Sequence, residues 1–580
     1  MLCPCGCLEA PFCRRFGFTR WPTATSHGLL ILLSLFAVLA STVAAWRAWR
    51  RLRHFLHVYQ LEGYKPGEYA AWLRTRGAAR VVAPGHWAGV ALVALASAGA
   101  LVSPAGVAAG VAACVGWMVA FASAVHVERA REKKPLVFTP RMRRQARVAL
   151  GVAALPVLVG LWATVATGSV APLLAGWLVA DVGAPIWTVL AGLAMRPVEA
   201  AVQRGFERQA KATLAARPDL TVVAITGSYG KTSVKFAVAE VLRQRFNTLA
   251  TPGSFNTPGG VCLVVNNQLR PDHRVLVLEM GARYAHDITD LTALAAPDIA
   301  VVTAVGPAHL DTMGPVENIA RIKGDLVAAL KPGGQAVLNA DDPRVLAMTA
   351  RVPAHAGRTW TVSAAGRADA DIAASDVAYG PDGARFTVRD DTGETAEVHT
   401  RLLGQHNVLN VLLAVAVGRA MGLRLRQVAH AVARIEPVAH RLALRTENGV
   451  TVIDDAFNSN PVGARNAVDI LGRMTVPAGG RRVVVTPGMV EMGERQAELN
   501  RDFGGDIARA LTGPDDLAVL VGARQTAPIR EGLARAGFPD ARVHTAASFF
   551  AARDLLAETL RDGDVVLYEN DLPDTYSEEA

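Results

Sequence analysis

Residues 221–246 read TVVAITGSYGKTSVKFAVAEVLRQRF, and this stretch decides the fold of the second half of the chain. TVVAIT is a β-branched strand, GSYG a glycine turn, and the residues from Lys231 onward an amphipathic helix. That order is the context a phosphate loop needs. Gly227 and Gly230 let backbone N–H groups close around phosphate oxygens, at a helix N-terminus whose dipole favours anions. Gly227, Ser228, Tyr229, Gly230, Lys231, Thr232 and Ser233 are the expected ATP-binding loop, with Lys231 reaching the β- and γ-phosphates and Thr232 holding Mg²⁺. The loop lacks the first glycine of the general pattern GxxxxGK[ST] and is a GxxGKT variant. The plain alternative is a strand–turn–helix that happens to carry a lysine.

At roughly 150 residues per domain, the 580 residues leave room for three or four domain-sized units. The chain is 51% apolar and 19% charged, with mean hydropathy +0.24. That composition excludes disorder and collagen-like repetition and puts part of the chain in lipid. The net charge of +9 divides unevenly. Residues 1–211 carry 23 Lys and Arg against 8 Asp and Glu, a net of +15, while the remainder carries 37 against 43. The basic excess belongs to the apolar half, as on cytoplasmic membrane flanks, so nucleic-acid binding has no electrostatic footing. Of the six cysteines, Cys3, Cys5, Cys7 and Cys13 crowd a leader whose spacing matches no zinc pattern. Cys114 lies in an apolar segment and Cys262 stands alone, which fits a reducing compartment.

Residues 25–46 carry no charged side chain and are long enough to span a bilayer. The apolar blocks 84–126 and 148–195 each break near their middle, at SPAG (103–106) and TGSVAP (167–172), and each reads as a helical hairpin. An N-terminal α-helical transmembrane region of about five spans is expected. Residues 47–83 and 127–147 carry eight Lys and Arg apiece, which places these loops, and everything after Arg196, in the cytoplasm. The expected location is a bacterial-type cytoplasmic membrane, multi-pass, with cytoplasmic catalytic domains. Asp181, the one acid within a span, reads as a helix–helix contact.

Beyond the loop come TPGSFNTPGGV (251–261), a block from LEMGA (278–282) through VGPAHLDTM (305–313) to RIKGDL (321–326), NADDP (339–343), GQHNVLN (404–410) and VIDDAFNSNP (452–461). Taken in order, these motifs resemble the Mur ligase family over about residues 212–500, and EMGA and DDAFNSNP resemble its D-alanyl-D-alanine-adding branch. The resemblance implies an ATP-dependent ligase that joins a carboxylate to an amine through an acyl phosphate. Such chemistry brings two anions together and needs concentrated positive charge. By the same resemblance Glu279 serves Mg²⁺, His309 binds a second Mg²⁺, and Lys323 matches the lysine that relatives carbamylate. Asn407 and Asn410 contact adenine, Arg441 reaches the ATP phosphates, and Asp455 binds the ribose hydroxyls. The expected catalytic group is Lys231, His309 and Lys323; the expected metal set is Thr232, Glu279, His309 and Lys323. From Arg481 onward strands RRVVVTP, DLAVLVGA and GDVVLYEN alternate with helical stretches and predict a Rossmann-like C-terminal domain.

The expected organisation is a transmembrane region over 1–211, a central α/β P-loop ATPase domain over 212–437 and a C-terminal α/β domain over 438–580. The likeness departs at both substrate-recognition ends. Apolar helices occupy the place of the UDP-sugar-gripping domain, and VLYENDLPDTY (566–576) replaces a Lys–Gly–Ser–Arg-like ending. The expected partners are a peptidoglycan-precursor-like acceptor, an amino acid or dipeptide, the membrane, and other cell-wall enzymes. Two alternatives are a related ligase building a polyglutamate-like polymer and an ATP-driven transporter. Against the transporter stand the absence of an LSGGQ-like signature and of an apolar strand ending in Asp-Glu.

Overall fold

The computed structural model describes residues 24–74, 82, 84–98, 104–123, 136–307, 310–380, 383–456, 460–490 and 492–572. The cysteine leader, His309, Asn458 and Glu491 lie outside these residues. The chain divides into two compact units, Met1–Ala200 and Ala201–Ala580.

The first unit is helical. Helix α1 (Ala24–Leu61) contains the charge-free run and continues past it through Arg47, Arg50, Arg51 and Arg53. It is followed by α2 (Pro84–Ala98), α3 (Pro104–Ser123), α4 (Pro140–Thr167), α5 (Ala171–Val182) and α6 (Ala184–Ala215). Both expected breaks are present. Thr139 caps α4 by accepting from the Met142 N–H, and Gly168 ends it in the left-handed region (φ +64°). Helices α4 and α5 then pack backbone against backbone, because a Cβ on Gly160 or Gly176 would strike the Pro172 or Pro156 carbonyl of the facing helix. Among the described residues Ile31–Leu61 and Pro140–Thr167 are long and apolar enough to cross a membrane. The pair α5–α6, bent by 67°, makes a third candidate if it counts as one span. About five spans were expected. The difference lies in the 84–126 block, where among the described residues Gly85–Ser97 and Ala108–Ala120 count as shorter apolar helices and not as spans.

Asp181 finds its partners far away in sequence. Its Oδ2 accepts from Arg47 Nε at 3.2 Å on α1 and lies 2.7 Å from His86 Nε2 on α2, while Arg51 Nε donates to the Asp181 carbonyl at 2.9 Å. The last bond satisfies a carbonyl near the α5–α6 break. Asp181 is 1% exposed, so it joins three helices through a buried ion pair, the helix–helix contact expected of it.

The second unit holds two sheets. The larger has the order β2-β3-β1-β4-β5-β6-β7-β8-β9. Its strands are β1 (Thr221–Thr226), β2 (Thr248–Ala250), β3 (Val275–Glu279), β4 (Ile299–Val302), β5 (Gln335–Asn339), β6 (Thr359–Ser363), β7 (Ile372–Gly380), β8 (Gly383–Arg389) and β9 (Thr395–Thr400). Pairing is parallel from β2 through β7 and antiparallel from β7 to β9. Strand β1 is central and buried on both faces, which is why its sequence is continuously apolar rather than alternating. One face is covered by α7 (Lys231–Leu242) and α10 (Gln405–Ala420), through Val234, Val238, Leu412 and Val415. The other is covered by α8 (Pro258–Asn267) and α9 (Val316–Ala328), through Val261, Val265, Ile319 and Ile322.

The smaller sheet has the order β10-β11-β15-β12-β13-β14. It comprises β10 (Ala443–Glu447), β11 (Val450–Asp455), β12 (Arg482–Thr486), β13 (Leu517–Val521), β14 (Val543–Ala546) and β15 (Val565–Glu569). All its pairs are parallel except β10–β11, and apolar clusters line both faces. This is the doubly covered α/β sheet predicted from the strand spacing, with β10, β11 and β14 added. Replacing Asp181 by Ala removes the carboxylate that joins α1, α2 and α5. The expected cost is about 3–5 kcal/mol, read as a lower Tm of the detergent-solubilised chain, with Asp181→Asn losing less.

Candidate active site

The loop between β1 and α7 forms as its glycines require. Gly230 is the N-cap of α7 at φ +79°, and a Cβ there would lie 2.6 Å from Asn410 Oδ1. No side chain caps α7, so its first N–H groups face the loop's hollow. Ser228 Oγ accepts from Gly306 N at 3.0 Å, and Tyr229 Oη donates to the Pro307 carbonyl at 3.1 Å, tying the loop to the segment after β4. Lys231 Nζ folds over the loop and donates to the carbonyls of Gly227 (2.8 Å) and Ser228 (3.3 Å). Ser233 sits half-buried in the first turn of α7. An uncapped helix N-terminus, a glycine-lined hollow and a lysine bridging its rim suit a bound polyphosphate.

Glu279 ends β3 and is 1% exposed. Its Oε2 accepts from Thr232 Oγ1 at 2.9 Å and Lys235 Nζ at 3.3 Å, and its Oε1 accepts from Asn256 Nδ2 at 3.3 Å. Arg441 Nη2 reaches across from the smaller-sheet side to donate to Thr232 Oγ1 at 3.3 Å. Lys231, Thr232, Glu279 and Arg441 are thus brought together. Burial, with Arg441 adding to it, lowers the Lys231 pKa against the attraction of Glu279. Burial also lowers Arg441 from its usual value. Lys323, on α9, is buried and is held well below the ordinary lysine value by burial and then by the Lys231 charge. No carboxylate pairs with it among the described residues.

Among the described residues there is no cluster of three or more His, Cys, Asp or Glu; of the expected metal set, Thr232 and Glu279 are in contact and His309 lies outside the described residues. Glu279 and Thr232 still fit Mg²⁺, which takes one or two protein oxygens and completes its shell with water and substrate phosphates.

Asn407 and Asn410 lie on one face of α10 and are both buried. Asn410 Nδ2 donates to Asn407 Oδ1 and Asn407 Nδ2 to the Leu403 carbonyl, each at 2.8 Å. Asn410 borders the loop at Gly230, and Gly404, not Asn407, caps the helix. Arg441 is set between two residues with left-handed backbone, His440 (φ +60°) and Leu442 (φ +51°). Asp455, at the end of β11, accepts from the Leu442 N–H at 3.1 Å, and burial pushes its carboxyl up to about 6 against the pull of Arg441. Burial and then Arg441 push His406 down to about 4, leaving a neutral imidazole beside Asn466. Asn460 caps the following helix, Pro461–Arg473, its side chain accepting from the Gly463 N–H at 2.9 Å.

Two residues of the constellation were missed in the sequence. Lys235 is one turn after Lys231 in KTSVK, a spacing that could have flagged it, although its apolar neighbours made it read as helix surface. Asn256 sits inside the 251–261 segment, but nothing in the sequence pointed its amide at Glu279.

Comparison with known proteins identifies the family. The Mur ligase middle domain matches residues 225–418, and the Mur ligase glutamate ligase domain matches residues 440–568. The UDP-N-acetylmuramoyl-tripeptide–D-alanyl-D-alanine ligase of Mycobacterium bovis is 36% identical over 362 residues, covering 60% of this chain and 70% of that protein. Its Escherichia coli counterpart is 32% identical over 284 residues, covering 49% and 61%. Among solved structures, MurF from Acinetobacter baumannii aligns with a TM-score of 0.56 at 23% identity, over 65% of this chain and 79% of that one. MurF ligase from Thermotoga maritima in complex with ADP aligns with a TM-score of 0.54 at 25% identity, over 65% and 82%. The chain belongs to the Mur ligase family and is an ATP-dependent ligase.

Proposed function

We propose that this ligase adds D-alanyl-D-alanine, or a similar amine, to the carboxylate of a peptidoglycan precursor at the cytoplasmic face of a membrane. The observation that carries the reading is the convergence of Lys231, Arg441, Thr232 and Glu279 at the uncapped start of α7. ATP, bound with Mg²⁺, supplies the phosphoryl group that activates the acceptor carboxylate and the metal charge that lets two anions approach.

The chain's own groups do the rest. Lys231 leaves the Gly227 and Ser228 carbonyls for the β- and γ-phosphates, where its charge and that of Arg441 offset the negative charge. Thr232 and Glu279 supply protein oxygens to the metal, with His309 the expected ligand of a second ion. Lys323 is buried, has no carboxylate partner among the described residues, and its depressed pKa keeps an amine free to take CO₂. The resulting carbamate is an anion that the neighbouring Lys231 charge favours. Asn407 and Asn410 border the base, and Asp455 holds the ribose hydroxyls. The domains of this reading are a membrane anchor over 1–211, the nucleotide domain over 212–437, and the amine-presenting domain over 438–580. The anchor rests on the apolar helices and the basic residues flanking them.

Phosphate release from ATP by the full chain is expected to require both UDP-N-acetylmuramoyl-tripeptide and D-alanyl-D-alanine, and to fall about 100-fold or more in Lys231→Ala. Release with no amine present counts against the reading. Incubation with ¹³C-bicarbonate is expected to label the wild-type chain and leave Lys323→Ala unlabelled, read by ¹³C NMR. Asp455 gives a pH test. Its folded pKa of about 6 lies above the unfolded value, so this group's contribution to stability falls as pH rises from about 4 to 6. Asp455→Asn is expected to be more stable than wild type above pH 6, by up to about 3 kcal/mol, the gain vanishing near pH 4.

A further inference from the structure

Lys235 has no part in the reading above, yet its ammonium sits where a cation bound to Glu279 would be felt most. The side chain is fully buried. Nζ donates to Glu279 Oε2 at 3.3 Å and also to the Gly253 carbonyl, and it lies 4.4 Å from the centre of the Phe236 ring. These contacts come from the helix after the phosphate loop, the end of β3 and the 251–257 segment. The ammonium is thus held between three segments of the chain.

Glu279 is occupied on both oxygens, by Thr232 and Lys235 on one and Asn256 on the other. A buried carboxylate must be answered by charge or take up a proton, and Lys235 answers it while no metal is bound. A divalent ion arriving alone would have to displace this ammonium from Oε2 and then sit beside it, with Lys231 and Arg441 also close by. A polyphosphate changes that balance, because its negative charges offset the metal, Lys231, Arg441 and Lys235 together.

We propose that Lys235 is a positioning residue that holds the metal's place on Glu279, so that the divalent ion loads with the nucleotide and not before it. The inference rests on the reading of Glu279 as the metal-facing carboxylate. Its consequence is ordered loading: nucleotide-free protein holds the metal weakly, and nucleotide raises metal affinity by more than its own chelation explains.

The test measures Mn²⁺ binding to the full chain by electron paramagnetic resonance, with and without a non-hydrolysable ATP analogue. Lys235→Met is compared with Lys235→Gln, Lys235→Arg and Glu279→Gln, each checked for folding by thermal unfolding. Without nucleotide, Lys235→Met and Lys235→Gln are expected to bind Mn²⁺ about tenfold or more tightly than wild type, while Lys235→Arg, which keeps the charge, binds as wild type does. With the analogue the difference narrows. Unchanged nucleotide-free affinity in both neutral variants, with Glu279→Gln still weakening Mn²⁺ binding beside the analogue, overturns the proposal and leaves the metal reading intact. Glu279→Gln without effect on Mn²⁺ in the presence of the analogue overturns both. If Lys235→Met does not fold, Lys235→Gln carries the same comparison.

Discussion

Burying a carboxylate is costly unless it is paired and hydrogen-bonded, and Glu279 is 1% exposed. Its place at the carboxyl end of β3, beside the strand that feeds the phosphate loop, sets what the surroundings must supply. Lys235 and Thr232 hold it from α7, Asn256 from the 251–257 segment, and Arg441 joins through Thr232 from the smaller-sheet side. One negative charge thus organises three cationic side chains into a volume that suits a polyphosphate, and it is the point at which the two α/β sheets of the second unit share a hydrogen-bonded network.

The parts legible in the sequence were those governed by local rules. TVVAIT, the glycine turn and the following apolar period dictate a strand, a loop and a helix whatever lies elsewhere, and Gly230 takes the left-handed conformation that its position demands. The alternation of strands after Arg481 announced the second sheet for the same reason. Properties set by contacts between distant residues were not legible. Asp181 is answered by Arg47 and His86, which lie 134 and 95 residues away. Lys235 reads as an ordinary helix residue until β3 and the 251–257 segment are folded around it. Of the five spans expected, two, or three if the bent pair α5–α6 counts as one, are long and apolar enough among the described residues.

The comparisons divide the chain along the same line as its chemistry. Both family matches lie within residues 225–568, where the nucleotide constellation sits, and neither includes the apolar helices of the first unit. Nucleotide activation places the same demands on every acceptor, whereas acceptor and amine recognition vary with the substrate. At the end of β15, Glu569 accepts from Thr486 Oγ1 at 2.6 Å, and Asn570, just beyond it, donates to the Gly488 carbonyl at 2.6 Å.

The paired glycines between α4 and α5 divide that hairpin in another way. Gly160 and Gly176 let two backbones touch, and no larger residue fits at either position. On the opposite side of α4, Leu155, Leu158, Trp162 and Val165 are exposed and constrained only to remain apolar. The hairpin therefore has one face where drift among oily residues costs almost nothing and one where a single added methyl group pries the helices apart.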